Sequence, residues 1–328
     1  MMNKFFWGGN TGRGSVNFAK DFFLDAKRRI LIKGGPGTGK SSFLKRIVEQ
    51  IKSPVIFYCP SSPNSLDTIA DFDRGFFVTD ATAPHAIDPQ SPGVRDEILD
   101  FGRYWNSSLL KSNSEKIREA SKRTSLHFTL AYAALGKALK MREQLENILG
   151  EKSPGIVDEK HYLKVWDEIN SLNLERNKEG LGNKFNRFVS AYTPLGFRKL
   201  EVDADKTYLF LGSPSLTKTY LDPLAGVFLG YGYDVLFFID PLDGLNYEGL
   251  YVPKLKLHIQ VSWPDLKKHN DLEREIEERI KAEEDFGIAE LTKAFMAHED
   301  LEKLYIEAMD FDLMEKELEG FLKGLFVD

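Results

Sequence analysis

Gly34-Gly35-Pro36-Gly37-Thr38-Gly39-Lys40-Ser41 spells G-x-x-x-x-G-K-[ST]. The pattern constrains the fold because it works only between a buried strand and a helix start. Ile30-Leu31-Ile32 before it suits such a strand, and Phe43, Leu44, Ile47, Val48 and Ile51 after it recur with helical spacing. Glycines let successive backbone N–H groups turn inward and approach an anion closely, and the helix N-terminus adds its positive dipole end. Gly34, Gly35, Pro36, Gly37, Thr38, Gly39, Lys40, Ser41 and Ser42 are therefore the candidate phosphate-binding residues. Lys40 would reach the β/γ phosphates, and the Ser41 hydroxyl would ligate Mg²⁺.

The chain of 328 residues is long enough for two domains of ordinary size. It is 42% apolar and 29% charged, with a net charge of −6. No broad basic field draws such a chain to nucleic acid or an anionic membrane. Lys27-Arg28-Arg29 reads as the solvated start of a strand. Cys59 is the sole cysteine, so one chain can build no disulfide framework or cysteine zinc site. Packed as a small hydrophobe, Cys59 fits a reducing, cytoplasmic setting. The first nine residues carry no cleavage signature, and the longest apolar stretch, Leu126 to Leu139, is broken by His127 and Lys137.

The chain also repeats itself, with matching blocks spaced roughly 180 residues apart. Thr207-Tyr208-Leu209-Phe210-Leu211 reads as a second strand before Gly212-Ser213-Pro214-Ser215-Leu216-Thr217-Lys218-Thr219. Aligned by letters, Gly34, Pro36, Lys40 and Ser41 match Gly212, Pro214, Lys218 and Thr219. Phe6, Thr11 and Gly14 match Phe188, Thr193 and Gly196; Val55 to Tyr58 match Val235 to Phe238; Pro84 matches Pro264. The second loop is degenerate, with Ser215 for Gly37, Thr217 for Gly39 and Tyr220 for Ser42. A β-branched residue resists positive φ and fills space that a phosphate needs.

The expected fold class is α/β: tandem P-loop NTPase-like domains, each a doubly wound, mainly parallel sheet, with helical extensions. Residues 1–183 would form the first domain, with a helical hairpin over about 112–180, and residues 184–328 the degenerate second. Ser112-Asn113-Ser114-Glu115 has the form of a capping box opening a helix that Gly150 ends near Leu149. A second helix spans Asp158 to Leu174, and Gly180-Leu181-Gly182 links the halves. The stretch from Asp265 is helical, its charged run Glu273 to Arg279 forming a solvated face.

Such a site needs a carboxylate near the magnesium shell. Asp80, closing Gly75-Phe76-Phe77-Val78-Thr79-Asp80, would sit at the sheet's C-terminal edge beside the loop, and Gln260 stands at its aligned place. Ser41 and Asp80 are thus the candidate Mg²⁺ residues. Asp67, Asp71 and Asp73 read as carboxylates of a loop, and Asp67 is the candidate to orient a water or acceptor hydroxyl. Thr82 and His85 follow at the phosphate-facing edge. Lys40, Asp80, Asp67 and His85 make up the candidate catalytic set. Arg95 and Arg103 read as sharing a helix after Pro92-Gly93, and Gly8 to Gly14 as a loop able to fold over the nucleotide.

The loop, the segment Cys59-Pro60-Ser61-Ser62-Pro63-Asn64-Ser65-Leu66-Asp67 and the segment Asp80-Ala81-Thr82-Ala83-Pro84-His85 together resemble a family of bacterial tandem P-loop ATPases. The resemblance covers Phe6 to Arg95 well and the second half in outline. Members keep both loops, whereas this chain departs from them in the second. The resemblance implies two fused NTPase halves and ATP binding, without a substrate. The resulting expectation is a Mg-dependent ATP-binding protein and ATPase with one competent site. Two alternatives stand beside it. One is a small-molecule kinase with an acceptor near Asp67, Thr82 and His85. The other is a non-hydrolysing, nucleotide-regulated scaffold for a protein partner. No nucleic-acid or membrane partner is expected.

Overall fold

A computed structural model describes residues 2–18, 26–62, 64–83, 86–152, 159–177, 180–212, 214–262 and 270–326. The chain is α/β and divides into two compact units, each discontinuous in sequence. One contains Phe22–Thr129 and Glu290–Asp328, the other Met1–Asp21 and Leu130–Ala289. The repeat divides the sequence near residue 183, whereas each compact unit draws on two separate stretches of chain.

The N-terminal residues form β1 (Lys4–Phe6) and the hairpin β2 (Gly8–Thr11) and β3 (Gly14–Asn17). Then follow β4 (Arg28–Lys33), α1 (Lys40–Val48), β5 (Val55–Tyr58), β6 (Leu66–Asp71), β7 (Phe76–Asp80) and β8 (Asp96–Asp100). The last five strands lie in the order β5-β6-β7-β4-β8. The pairs β4–β7 and β4–β8 are parallel, but β5–β6 and β6–β7 are antiparallel. The sheet is therefore mixed rather than mainly parallel. The reason is connection length: a parallel crossover needs a dozen residues or more, and the β6–β7 link is a tight turn. Asp71 closes that turn, accepting from Arg74 N at 3.1 Å, while its carbonyl takes Gly75 N at 2.8 Å.

One face of this sheet is covered by α1 and by the C-terminal helix. After the short α2 (Ser107–Ser112) come α3 (Ser114–Lys152) and α4 (Glu159–Asn170). Ile30, Ile32, Ile69 and Val78 of the sheet cluster with Phe43, Leu44 and Ile47 of α1 and with Met314, Leu318 and Leu322 near the C-terminus. Each fully buried side chain of this size contributes about 1.5–3 kcal/mol, which fixes α1 against the strand ends. Ser112 ends α2 instead of capping α3, and Asn106 caps α2, its side chain accepting from Ser108 N and Leu109 N. α3 runs through Gly150 to Lys152. Asp158 and Asp265, the expected starts of two helices, lie outside the described residues.

The second sheet is built from β9 (Lys184–Arg187), β12 (Lys206–Leu211), β13 (Val235–Ile239), β14 (Tyr247–Val252) and β15 (Leu257–Ser262), ordered β12-β15-β14-β13-β9. Between β9 and β12 lies the hairpin of β10 (Ser190–Thr193) and β11 (Gly196–Lys199). Its pairing repeats that of the first sheet. Ile56↔Ile69 has its counterpart in Phe237↔Leu250, Ile69↔Val78 in Leu250↔Ile259, and Ile30↔Val78 in Tyr208↔Ile259. Even the irregularity recurs, between Phe57 and Tyr58 and again between Phe238 and Ile239. The hairpins repeat too: Thr11 Oγ1 donates to Gly14 O and Thr193 Oγ1 to Gly196 O, both at 2.8 Å. Gly8 to Gly14 is thus a hairpin of the second unit whose first strand is buried, with Asn10 Nδ2 donating to Tyr192 O at 3.0 Å, and not a loop able to fold over the nucleotide. The helices α5 (Thr217–Gly230), α6 (Asp271–Ile306) and α7 (Phe311–Leu325) complete the chain. Among the described residues no helix is long and apolar enough to cross a membrane.

Candidate functional site

The G-x-x-x-x-G-K-[ST] segment joins β4 to α1 at the C-terminal edge of the first sheet. Gly37 and Gly39 adopt φ of 67° and 86°, left-handed conformations that cost an L side chain roughly 1–2 kcal/mol. Gly39 also starts α1, its carbonyl taking Phe43 N at 2.9 Å. Thr38 Oγ1 closes the loop by donating to Gly35 O at 2.8 Å. Lys40 Nζ folds back over it, donating to Gly35 O at 2.7 Å and Gly34 O at 3.1 Å. The Lys40 side chain is only 12% exposed, so its charge is directed into the site instead of bulk water.

β7 brings its terminal carboxylate to the same place. Asp80 Oδ2 lies 3.5 Å from Lys40 Nζ, and Asp80 Oδ1 accepts from Thr82 N at 2.9 Å. Thr82 Oγ1 accepts from Gly34 N at 3.3 Å, joining the segment after β7 to the loop. Lys33 fastens that segment further, donating from Nζ to Ala81 O at 2.7 Å and Ile87 O at 2.8 Å. Nothing in local sequence distinguishes Lys33 from a solvated strand-end lysine. Ser41 Oγ accepts from Leu66 N at 2.9 Å, which fixes the hydroxyl at the helix start.

Four expected positions differ. Asp67 and Asp71 lie on a buried strand, β6, not on a solvated loop, because β6 is flanked on both sides by β5 and β7. Asp71 sits at the far end of β6 from the loop, whereas Asp67 sits at the near end beside Cys59. Burial, and then the Asp67 charge, push the Cys59 thiol well above its usual range, so it is not a ready nucleophile. Arg95 and Arg103 share no helix: β8 separates them, and Arg103 falls in a 3-10 turn over Phe101–Tyr104. His85 lies outside the described residues. Among the described residues no group of three or more His, Cys, Asp or Glu could hold a metal ion. Ser41 at the start of α1 and Asp80 at the end of β7 are the residues that would hold Mg²⁺, an ion that keeps several waters and takes one or two protein ligands alongside substrate phosphates.

The equivalent edge of the second sheet is built differently. Tyr247 N donates to Thr217 Oγ1 at 3.2 Å, as Leu66 N does to Ser41 Oγ. Thr217, not Thr219, is therefore the structural counterpart of Ser41. Leu216 then stands where Lys40 does, and the connection from β12 is shorter than that from β4 by two residues. Strand register also places Val261, not Gln260, at the position of Asp80, since Ile32 pairs with Asp80 and Phe210 with Val261.

A cavity of about 380 Å³ opens at this edge, lined in part by Arg142, Tyr192, Asp240, Glu248 and Glu284. Arg142 holds Asp240 through two hydrogen bonds of 2.7 and 3.0 Å. Ser190 Oγ donates to Glu248 at 2.6 Å, and Tyr192 OH to Glu284 at 2.6 Å. Burial pushes the Glu248 carboxyl up to about 7, against the opposing Lys199 charge and the Ser190 bond. The uncharged Leu216 thus stands at the place of Lys40.

Comparison of the chain with family models, with curated proteins and with solved structures found no match.

Proposed function

We propose that this chain is a tandem P-loop NTPase-like protein that binds Mg-ATP at its first loop and hydrolyses it there, the second half having lost the equivalent site. The observation that carries this reading is the placement of Lys40. Its ammonium lies against the carbonyls of Gly34 and Gly35, within 3.5 Å of Asp80, at a helix start opened by two positive-φ glycines. Phosphoryl transfer depends mainly on positioning and charge stabilisation. Loop N–H groups and Lys40 would supply both toward the β and γ phosphates. Ser41 and Asp80 would hold Mg²⁺, which neutralises developing phosphate charge when bound. Thr82, bonded to Gly34, would hold the segment after β7 in register with the loop.

The residue after Asp80 is Ala81, and Asp67 adjoins Cys59. Ala81 supplies no base for water, which supports a second reading in which bound nucleotide acts as a switch with slow turnover. Calorimetric titration with ATP, ADP, GTP and GDP, with and without Mg²⁺, tests binding. Absence of binding, or undiminished binding in Lys40→Ala, overturns both readings. Phosphate release in a single-turnover assay separates them: measurable release supports the ATPase, and tight binding without release the switch.

A further inference from the structure

The cavity at the edge of the second sheet stands where the first sheet carries its loop and carboxylate. Phe210 pairs with Val261 as Ile32 pairs with Asp80. Val261 and, two residues past Phe210, Gly212 thus correspond to Asp80 and Gly34, and both line the cavity. The neighbouring strand end differs as well. Asp240 N donates to Asn246 O at 2.9 Å as Cys59 N donates to Ser65 O at 3.0 Å, each just past the β-bulge. Asp240 and Glu248 therefore occupy the places of Cys59 and Asp67, and the second edge carries a carboxylate where the first has a thiol. The residues lining the cavity all lie in the compact unit that contains Leu130–Ala289.

We infer that this cavity binds a small organic cation, an ammonium group carried on an apolar or aromatic body. Charge argues for the cation. Asp240, Glu248, Glu277 and Glu284 line the cavity together with Arg142 and Lys281. Arg142 is committed to Asp240 through two hydrogen bonds, and Lys281 pairs with Asp285. Glu248 and Glu284 are held by neutral hydroxyls, those of Ser190 and Tyr192, and among the described residues neither carboxylate makes an ion pair. Burial raises both carboxyls, Glu248 to about 7, as expected where a charge lacks a close partner. The walls argue for an organic cation over a metal. Tyr192 and Phe197 pack edge to face with ring centres 5.4 Å apart, and Leu145 and Ile280 add apolar surface. Ammonium groups are attracted to aromatic faces. Among the described residues, by contrast, no group of three or more His, Cys, Asp or Glu could hold a metal ion. The volume of about 380 Å³ lies within the range of small-molecule sites. An uncharged ligand of the same shape would strip water from Glu248 and Glu284 and return nothing to them. This inference does not depend on what the first loop binds.

The test uses the full chain at pH 8, with tryptamine and hexylamine titrated by calorimetry beside their uncharged counterparts tryptophol and hexanol. At least one amine should bind with a Kd below about 1 mM, and its alcohol at least about tenfold more weakly. Glu248→Gln and Glu284→Gln, each checked for an unchanged far-UV spectrum, should each weaken the amine by about tenfold or more, because each removes a charged acceptor. Lys40→Ala should leave amine binding unchanged, which separates this cavity from the first loop. Absence of binding by both amines overturns the inference. So does equal binding of amine and alcohol, a comparison that needs no variant to fold. Undiminished amine binding in both Gln variants also overturns it, as does displacement of the amine by equimolar Mg²⁺. Loss of amine binding in Lys40→Ala with retention in both Gln variants would place the amine at the first loop and overturn it as well.

Discussion

The C-terminal edges of the two sheets share a strand order, a register and a β-bulge, yet they present opposite chemistry. The first edge carries two positive-φ glycines, an inward lysine and Asp80. The second has a connection shorter by two residues, Leu216 and Val261 at the corresponding places, and a cavity bordered by carboxylates around the Arg142–Asp240 pair. The difference separates what maintains the fold from what makes the site. Strand pairing is alike at both edges although only the first carries the loop, because ladder hydrogen bonds and apolar burial do not depend on it. Binding of an anion would depend on it, since a nest needs both the residue count and the φ angles.

The sheets also end differently, and this carries the largest expected effect. β8 extends the first sheet beyond β4, held by Arg29 and Asp96. Both side chains are buried, and Arg29 Nη2 donates to Asp96 Oδ2 at 2.6 Å. Arg29→Ala should destabilise the protein by about 3–5 kcal/mol in urea melts, because it strands a buried carboxylate. A loss under about 1 kcal/mol would mean that β8 is not anchored by this pair. Desolvation works to raise the Asp96 carboxyl, but bonds from Arg29, Ser91 N and Gln90 N outweigh it and hold it below 3.8. Its contribution is therefore present above the ordinary carboxylate range and lost as pH falls through the lowered value. The second sheet ends at β12, where α4 lies alongside and His161 Nε2 meets Leu209 O at 3.0 Å. His161→Ala should cost less than Arg29→Ala.

The next contrast is between the lysines. Lys40→Ala should weaken Mg-ATP binding at least about 100-fold, near 2.7 kcal/mol, whereas Lys218→Ala should leave it unchanged. Lys218 is displaced from the Lys40 position by the shorter connection, and its Nζ lies 5.4 Å from the Tyr247 ring centre. A comparable loss in Lys218→Ala, read by calorimetry, would show that the second half contributes to binding after all.

Glu248 stands at the position that Asp67 holds in the first sheet, and burial raises its carboxyl to about 7. A carboxyl raised above its unfolded value near 4.5 supports the fold fully below that value, and the support is lost as pH rises through 7. Glu248→Gln should therefore be more stable than the wild type at pH 8, by about 1–3 kcal/mol, and indistinguishable at pH 4. Thermal melts across this range check it. A gain independent of pH would indicate that burial of the charge is not the cause.

Much of the first site was legible because its information is local. The motif names the strand, the loop and the helix together, and Phe76 to Asp80 reads as a strand ending in its carboxylate. Strand direction was not legible, since hydrophobic runs such as Val55 to Tyr58 look alike whichever way they run. β6 was hidden because Leu66-Asp67-Thr68-Ile69-Ala70-Asp71 carries two acids, whose burial depends on partners elsewhere in the chain. The sequence after Pro92-Gly93 reads as helix because Asp96 to Asp100 becomes a strand only through pairing with β4 and the charge of Arg29. Arg29 itself read as solvated because its partner lies 67 residues away. Matching letters set Lys218 against Lys40, and a single tertiary hydrogen bond, Tyr247 N to Thr217, moves the alignment by two residues.

That bond supports the smallest prediction. Ser41 and Thr217 accept equivalent backbone N–H groups, at 2.9 and 3.2 Å, from the first residues of β6 and β14. Replacing either with Ala leaves a backbone donor unpaired at a strand start, which should cost about 1 kcal/mol of stability in each case. The pair should then diverge in binding. Ser41→Ala should weaken nucleotide binding in Mg²⁺ more than in EDTA, because it also removes a candidate ligand of the ion. Thr217→Ala should lose stability alone, and Thr219→Ala should lose neither, since the shorter connection carries residue 219 past the helix start. If Thr219→Ala costs stability while Thr217→Ala does not, letter matching gives the better alignment and Lys218 returns as the counterpart of Lys40. The stability cost and the Mg²⁺-dependent loss come together at Ser41 only if one hydroxyl serves both the fold and the ion.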